Sequence, residues 1–107
     1  MTATETSNLI NFFSGQTTNV TTNAVICPFN TGVLKISGTW NGATVQLQTS
    51  TPGSTTFVPV TDANGNALTW TQNTQVTIQN IVWDDQIQAV LANAGASTNL
   101  NCTLQRI

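Results

Sequence analysis

The sequence predicts an all-β fold, a single antiparallel β-sandwich of about eight short strands, jelly-roll or immunoglobulin-like in type. Three observations lead there. Apolar and polar residues alternate with a period of two, as in Leu100, Cys102 and Leu104 against Asn101, Thr103 and Gln105, the pattern of a half-buried strand. Turn signals recur at Pro28, Asn30-Thr31-Gly32, Asn41-Gly42, Thr51-Pro52-Gly53, Asn64-Gly65-Asn66 and Asn93-Ala94-Gly95. Thr is abundant beside Val and Ile, and β-branched residues suit a pleated sheet. The 107 residues, 39% hydrophobic, fit one compact domain rather than two.

In chain order, a polar start gives way to "NLINFF", which brings Leu9, Ile10, Phe12 and Phe13 together. Neighbours in a strand point to opposite faces, so one of Phe12 and Phe13 is expected outside the core. Residues 1–13 are assigned to an N-terminal arm and 14–107 to the sandwich, with Leu9, Ile10, Phe12 and Phe13 as candidate partner-binding residues. Apolar segments beside a polar terminus often order on binding, with an aromatic as anchor. The alternative is that 9–13 form the first core strand.

Strands are expected over 18–27, 33–40, 43–50, 56–61, 67–71, 74–80, 85–92 and 99–106. The second and third read as a hairpin across Asn41-Gly42, because a type I′ turn needs φ > 0 at both central residues. In that register Trp40 faces Ala43, Gly38 faces Val45, Ile36 faces Leu47 and Leu34 faces Thr49. Lys35, Ser37 and Thr39 then share the other face with Gln48, Gln46 and Thr44. Pro59 cannot donate to a ladder, which places its strand at an edge. Ile87, Ala89 and Leu91 share one face of the segment 85–92.

The chemical inventory argues against an enzyme. There is no His and no Tyr, and Lys35 and Arg106 are the only basic residues. Hydroxyls are plentiful, yet a hydroxyl is a weak nucleophile without an adjacent base. Asp84 and Asp85, if in a strand, point to opposite faces and cannot share a proton; an exposed turn before Gln86 explains them. "DANGNA", Asp62 to Ala67, begins like a calcium loop, but its Gly comes fourth and Asn73 stands at the twelfth position. It reads as a hairpin loop, and no cofactor or metal is expected. Two basic residues cannot neutralise a phosphate backbone, so nucleic acid is not an expected partner.

No apolar run approaches the ~18 residues that cross a bilayer, and "MTATETSNLINFF" lacks the basic and apolar regions of a signal peptide. A cytoplasmic origin is expected, and with it buried, unpaired thiols at Cys27 and Cys102; the alternative is a disulfide between them, since the first and last strands of a sandwich often sit close. Asn19-Val20-Thr21 and Asn101-Cys102-Thr103 match the glycosylation pattern, which an Asn/Thr-rich chain produces by chance. Trp40 and Trp70 fall on inward faces; Trp83 follows a break in the pattern and is the candidate exposed aromatic.

What remains is the missing charge. Only 6% of residues are charged, against about 25% in average chains. Neutral Thr/Gln faces and open strand edges favour association with neighbours, which suits life inside an assembly.

The run "GTWNGATVQLQTS…STTFVPVTDANGNALTWT…DDQIQAVLANAGASTNLNCTLQRI" resembles small β-rich structural proteins of tailed bacteriophages. The shared features are a "G-T-x-x-G-A-T-V-x-L-Q" strand, a "W/F-V-P-V" strand and a closing "A-V-L…G…L-N-x-x-L" pair, over most of residues 36–107. Gln88 stands where many such proteins carry Arg. The resemblance implies a virion protein assembled in the bacterial cytoplasm, with a head decoration (cement) protein as the first reading. Its partners would be the major capsid protein and copies of itself. A tail or fibre receptor-binding module is the second reading. A carbohydrate-binding sandwich using Trp83 is the third.

Overall fold

The computed structural model describes residues 4–5, 8–62, 64–79, 81–82 and 84–107, with backbone only at 4–5. All regular structure among them is β. The strands are β1 (Thr4–Glu5), β2 (Leu9–Gln16), β3 (Val20–Thr21), β4 (Val25–Ile26), β5 (Gly32–Thr39), β6 (Thr44–Ser50), β7 (Val58–Pro59), β8 (Thr69–Trp70), β9 (Thr74–Ile78), β10 (Gln86–Ala92) and β11 (Asn99–Arg106). They form two antiparallel sheets. Sheet A has the order β1-β2-β11-β5-β9; sheet B runs β3-β10-β6-β7, with β4 also on β10 and β8 also on β6.

β3 and β4 run along one side of β10 as two pieces of a single strand, and β7 and β8 do the same along β6. Counted that way, and with β1 set aside as a short flank of β2, eight strands remain. Numbered from β2 to β11, they pair first with eighth and third with sixth in sheet A, second with seventh and fourth with fifth in sheet B. That nesting is a long hairpin rolled up on itself, the jelly-roll order. In an immunoglobulin-like sandwich the first two strands would be neighbours in one sheet.

Five expected strands, 33–40, 43–50, 74–80, 85–92 and 99–106, coincide closely with observed ones, and 56–61 and 67–71 shrink to the two-residue β7 and β8. The eighth, 18–27, is split at residues 22–24, where Thr22 Oγ1 accepts a hydrogen bond from the Ala89 N–H (3.1 Å). Pro59 lies at an edge of sheet B, as its missing N–H requires. "DANGNA" closes a hairpin through the Thr61–Ala67 bridge.

Two expectations are corrected. The Asn41-Gly42 turn forms, with φ +46° and +85° and the Ala43 N–H donating to the Trp40 carbonyl at 2.9 Å. The strands it joins do not pair, however: β5 lies in sheet A between β11 and β9, and β6 lies in sheet B beside β10. The turn is a corner between the sheets. Leu34, Ile36, Ala43, Val45 and Leu47 still meet in the core, but across the sandwich rather than along one sheet.

The second correction concerns the arm. Leu9–Gln16 is an inner strand of sheet A, so the boundary expected after residue 13 falls inside a strand. Phe12 and Phe13 are both fully buried. A β-bulge reconciles this with the alternation rule: Cys102 faces Phe13 and Thr103 faces Asn11, leaving Phe12 as the extra residue. A second irregularity lies between Leu100, opposite Gln16, and Cys102. There Gly15 takes φ +63° and donates its N–H to Asn101 Oδ1 at 2.9 Å.

Cys27 and Cys102 are buried in this core as thiols, not joined in a disulfide, and Cys27 Sγ donates to the Phe29 carbonyl at 3.1 Å. Burial pushes the Cys102 thiol far above its ordinary range, so it is a packed, unreactive group. Cys102→Ala is expected to cost about 1–2 kcal/mol of lost packing, measured by urea denaturation. The intact mass without reductant should match two thiols; a two-dalton deficit would replace this account with a disulfide.

Candidate interaction surface

The outer face of sheet B carries an amide relay in place of ions. Gln88 Nε2 donates to Gln48 Oε1 (2.8 Å), Gln48 Nε2 to Gln46 Oε1 (2.9 Å), and Gln46 Nε2 to Thr69 Oγ1 (3.3 Å). The register puts Gln88 beside Gln48 and Gln46 beside Thr69, so the relay crosses β10, β6 and β8. On sheet A, exposed Lys35 stands between Thr103 and Gln75. These faces are wettable but nearly uncharged.

The two ends of the sandwich differ in chemistry. One end, built by residues 17–19, 40–43 and 93–98, is polar and tied by its own hydrogen bonds. Thr98 Oγ1 donates to the Trp40 carbonyl (2.8 Å) and accepts from the Gly95 N–H (2.9 Å); Asn19 Oδ1 accepts from the Ala94 N–H (2.8 Å). With its amide oxygen turned toward the 96–97 backbone, Asn41 accepts from Ala96 and Ser97 at 3.1 and 3.0 Å.

The opposite end holds every exposed large hydrophobic residue among those described: Leu9, Ile26, Val58, Val82 and Ile107. Register fixes their location. Leu9 pairs with Gln105, Ile26 with Gln86 and Val58 with Thr49, while Val82 precedes β10 and Ile107 follows β11. This end is the candidate interaction surface. Arg106 and Asp84 are exposed there too.

Of the residues singled out in the sequence, only Leu9, 38% exposed, reaches this surface. Ile10, Phe12 and Phe13 have no exposed area and pack in the core of the chain itself. Trp83 lies outside the described residues. Trp40 and Trp70 are half-buried against the core, and Trp40 Nε1 donates to Asn73 Oδ1 at 2.9 Å. Ile26, Val58 and Val82 were missed because each has apolar neighbours in the sequence and lies beside a turn or in a two-residue strand, where periodicity does not say which side chain faces outward.

Asp62 closes its own loop. Its Oδ1 accepts from the Asn64 and Asn66 N–H groups at 2.8 and 3.0 Å, and these bonds hold its carboxyl below the usual carboxylate range. Among the described residues no three His, Cys, Asp or Glu side chains come together as metal ligands, and no helix is long and apolar enough to cross a membrane. No protein-family model, curated protein or solved structure matches this chain.

Proposed function

We propose that this chain is a structural protein of a tailed-phage virion, a head decoration (cement) protein that binds the major capsid lattice and bridges its subunits. The observation that carries the reading is a jelly roll whose broad faces are hydrogen-bonded amides and hydroxyls and whose exposed large apolar residues gather at one end. Such a surface is poorly suited to a solitary protein and well suited to burial in a shell. The apolar end docks on the lattice, and the neutral faces meet neighbours without like-charge repulsion. The resemblance of residues 36–107 to phage structural proteins supports the same reading. It also fits a tail or fibre module, which would be a low-copy component where a cement protein is a high-copy one. The carbohydrate-binding reading rests on Trp83 and gains no support from the described residues.

The test is selective release. Exposed ion pairs weaken as the Debye length falls to about 3 Å near 1 M salt, whereas apolar burial persists in salt and yields to urea. Lys35 and Arg106 are the only cations available for pairing. The protein should therefore stay on heads washed in molar NaCl and leave in a few molar urea. Release by salt with retention in urea would show a charged interface and overturn the docking mode.

A further inference from the structure

A two-sheet sandwich has four lateral edges, and unpaired backbone groups on an edge recruit further strands unless something blunts them. Three edges are blunted here. The described part of β1, Thr4–Glu5, carries a charged residue, Glu5. The β3–β4 edge is broken into two pieces of two residues each. The β7–β8 edge contains Pro59 and is interrupted by the loop that the Thr61–Ala67 bridge closes. β9 has none of these devices. It is a continuous run of five residues, Thr74-Gln75-Val76-Thr77-Ile78, without Pro, Gly or charge. Its strand partner is β5, on one side only, among the described residues.

We propose that β9 is a self-association edge, where two copies of this chain pair antiparallel about a two-fold axis and join their five-stranded sheets into one. A two-fold through Val76 sets Val76 against its own copy, Gln75 against Thr77 and Thr74 against Ile78. On a dyad any charge meets its own kind, and neither β9 nor the flanking Asn73 and Gln79 carries one. On the exposed face of the sheet the charge beside β9 is Lys35, opposite Gln75 on β5. Its two copies would stand three strand spacings apart, about 14 Å, beyond the Debye length of about 8 Å at physiological ionic strength.

The flank of the sandwich beside β9 is also open. A cleft of about 240 Å³ lies between Val76, Ile78 and Gln79 on one wall and Thr61, Asp62 and Leu68 on the other. Val76 and Leu68 are only partly covered there. A strand added to β9 extends the first wall and shields this apolar lining from water. Asp62, the charge at the rim, is already held by the Asn64 and Asn66 N–H groups. The inference does not depend on a virion role.

Sedimentation equilibrium of the full chain at micromolar concentration should give a dimer. Gln75 and Thr77 are exposed, so charge can be introduced there without disturbing the core. Gln75→Lys/Thr77→Lys opposes lysine with lysine twice and should sediment as a monomer, as should Gln75→Glu/Thr77→Glu. Mixing the two variants should restore a dimer. Gln105→Lys, exposed on the same sheet two strands away, should leave the dimer intact. A monomeric parent chain, a double-lysine variant that still dimerises, or a mixture that stays monomeric would each overturn the proposal.

Discussion

Deleting residues 1–13 is expected to unfold the protein. The cut removes Leu9 to Phe13 from the eight-residue β2 and turns β11 from an inner strand into an edge. It also empties the core of Ile10, Phe12 and Phe13, none of which has exposed area. Truncating one buried Phe to Ala typically costs about 3–5 kcal/mol, against total stabilities of about 5–15 kcal/mol. Loss of three such side chains with their strand exceeds that margin. Circular dichroism and a thermal melt decide the matter: a cooperative transition in the deletion variant would mean that β2 is dispensable. Single substitutions grade the effect. Phe13→Ala should cost about 3–5 kcal/mol, whereas Leu9→Ala, at a surface position, should stay under about 1 kcal/mol.

Gly38→Ala is expected to have the next largest effect. Gly38 has φ +132°, and a Cβ there would fall on the Asn99 carbonyl oxygen and crowd the Leu100 backbone. Both belong to β11, which pairs with β5 at this point. Backbone strain alone costs about 1–3 kcal/mol, and the clash cannot be relieved by a rotamer change because the obstacle is backbone. A total of about 3 kcal/mol or more follows. Gly53→Ala is the matched control: φ is +82°, but a Cβ there meets nothing within 4 Å. It should show only the left-handed strain, about 1–2 kcal/mol. Equal urea midpoints for the two variants would remove close approach as the reason for glycine at 38.

The sequence made the faces of the strands legible, but not their partners. Alternation told which of Leu34, Lys35, Ile36 and Ser37 point inward, and the buried–exposed pattern of β5 agrees. It could not tell whether β5 and β6 share a sheet, because two strands with apolar inner faces look alike as a hairpin and as opposite walls of a sandwich. The Asn41-Gly42 turn is satisfied either way, since its hydrogen bond and positive φ values are local. β2 was hidden for a different reason. Strict alternation forbids Phe12 and Phe13 in one core, and only the bulge against Cys102 and Thr103 permits it. A bulge is a relation between two strands, so no single-strand pattern announces it. The apolar end was the least legible feature, because it gathers residues from five separate segments of the chain.

The nested strand order also sets a clock on synthesis. β2 is complete at Gln16, yet its inner partner β11 begins only at Asn99. At translation rates of about 5–20 residues per second, roughly 4–17 s separate the two. Throughout that interval the segment bearing Leu9, Ile10, Phe12 and Phe13 has been made but has no inner partner. An uncharged apolar segment left waiting in this way is the kind that draws nascent chains into aggregates. The yield of folded protein should therefore depend on how fast the ribosome covers residues 17–98, and on whether a holdase shelters the waiting segment, more than on the stability finally reached.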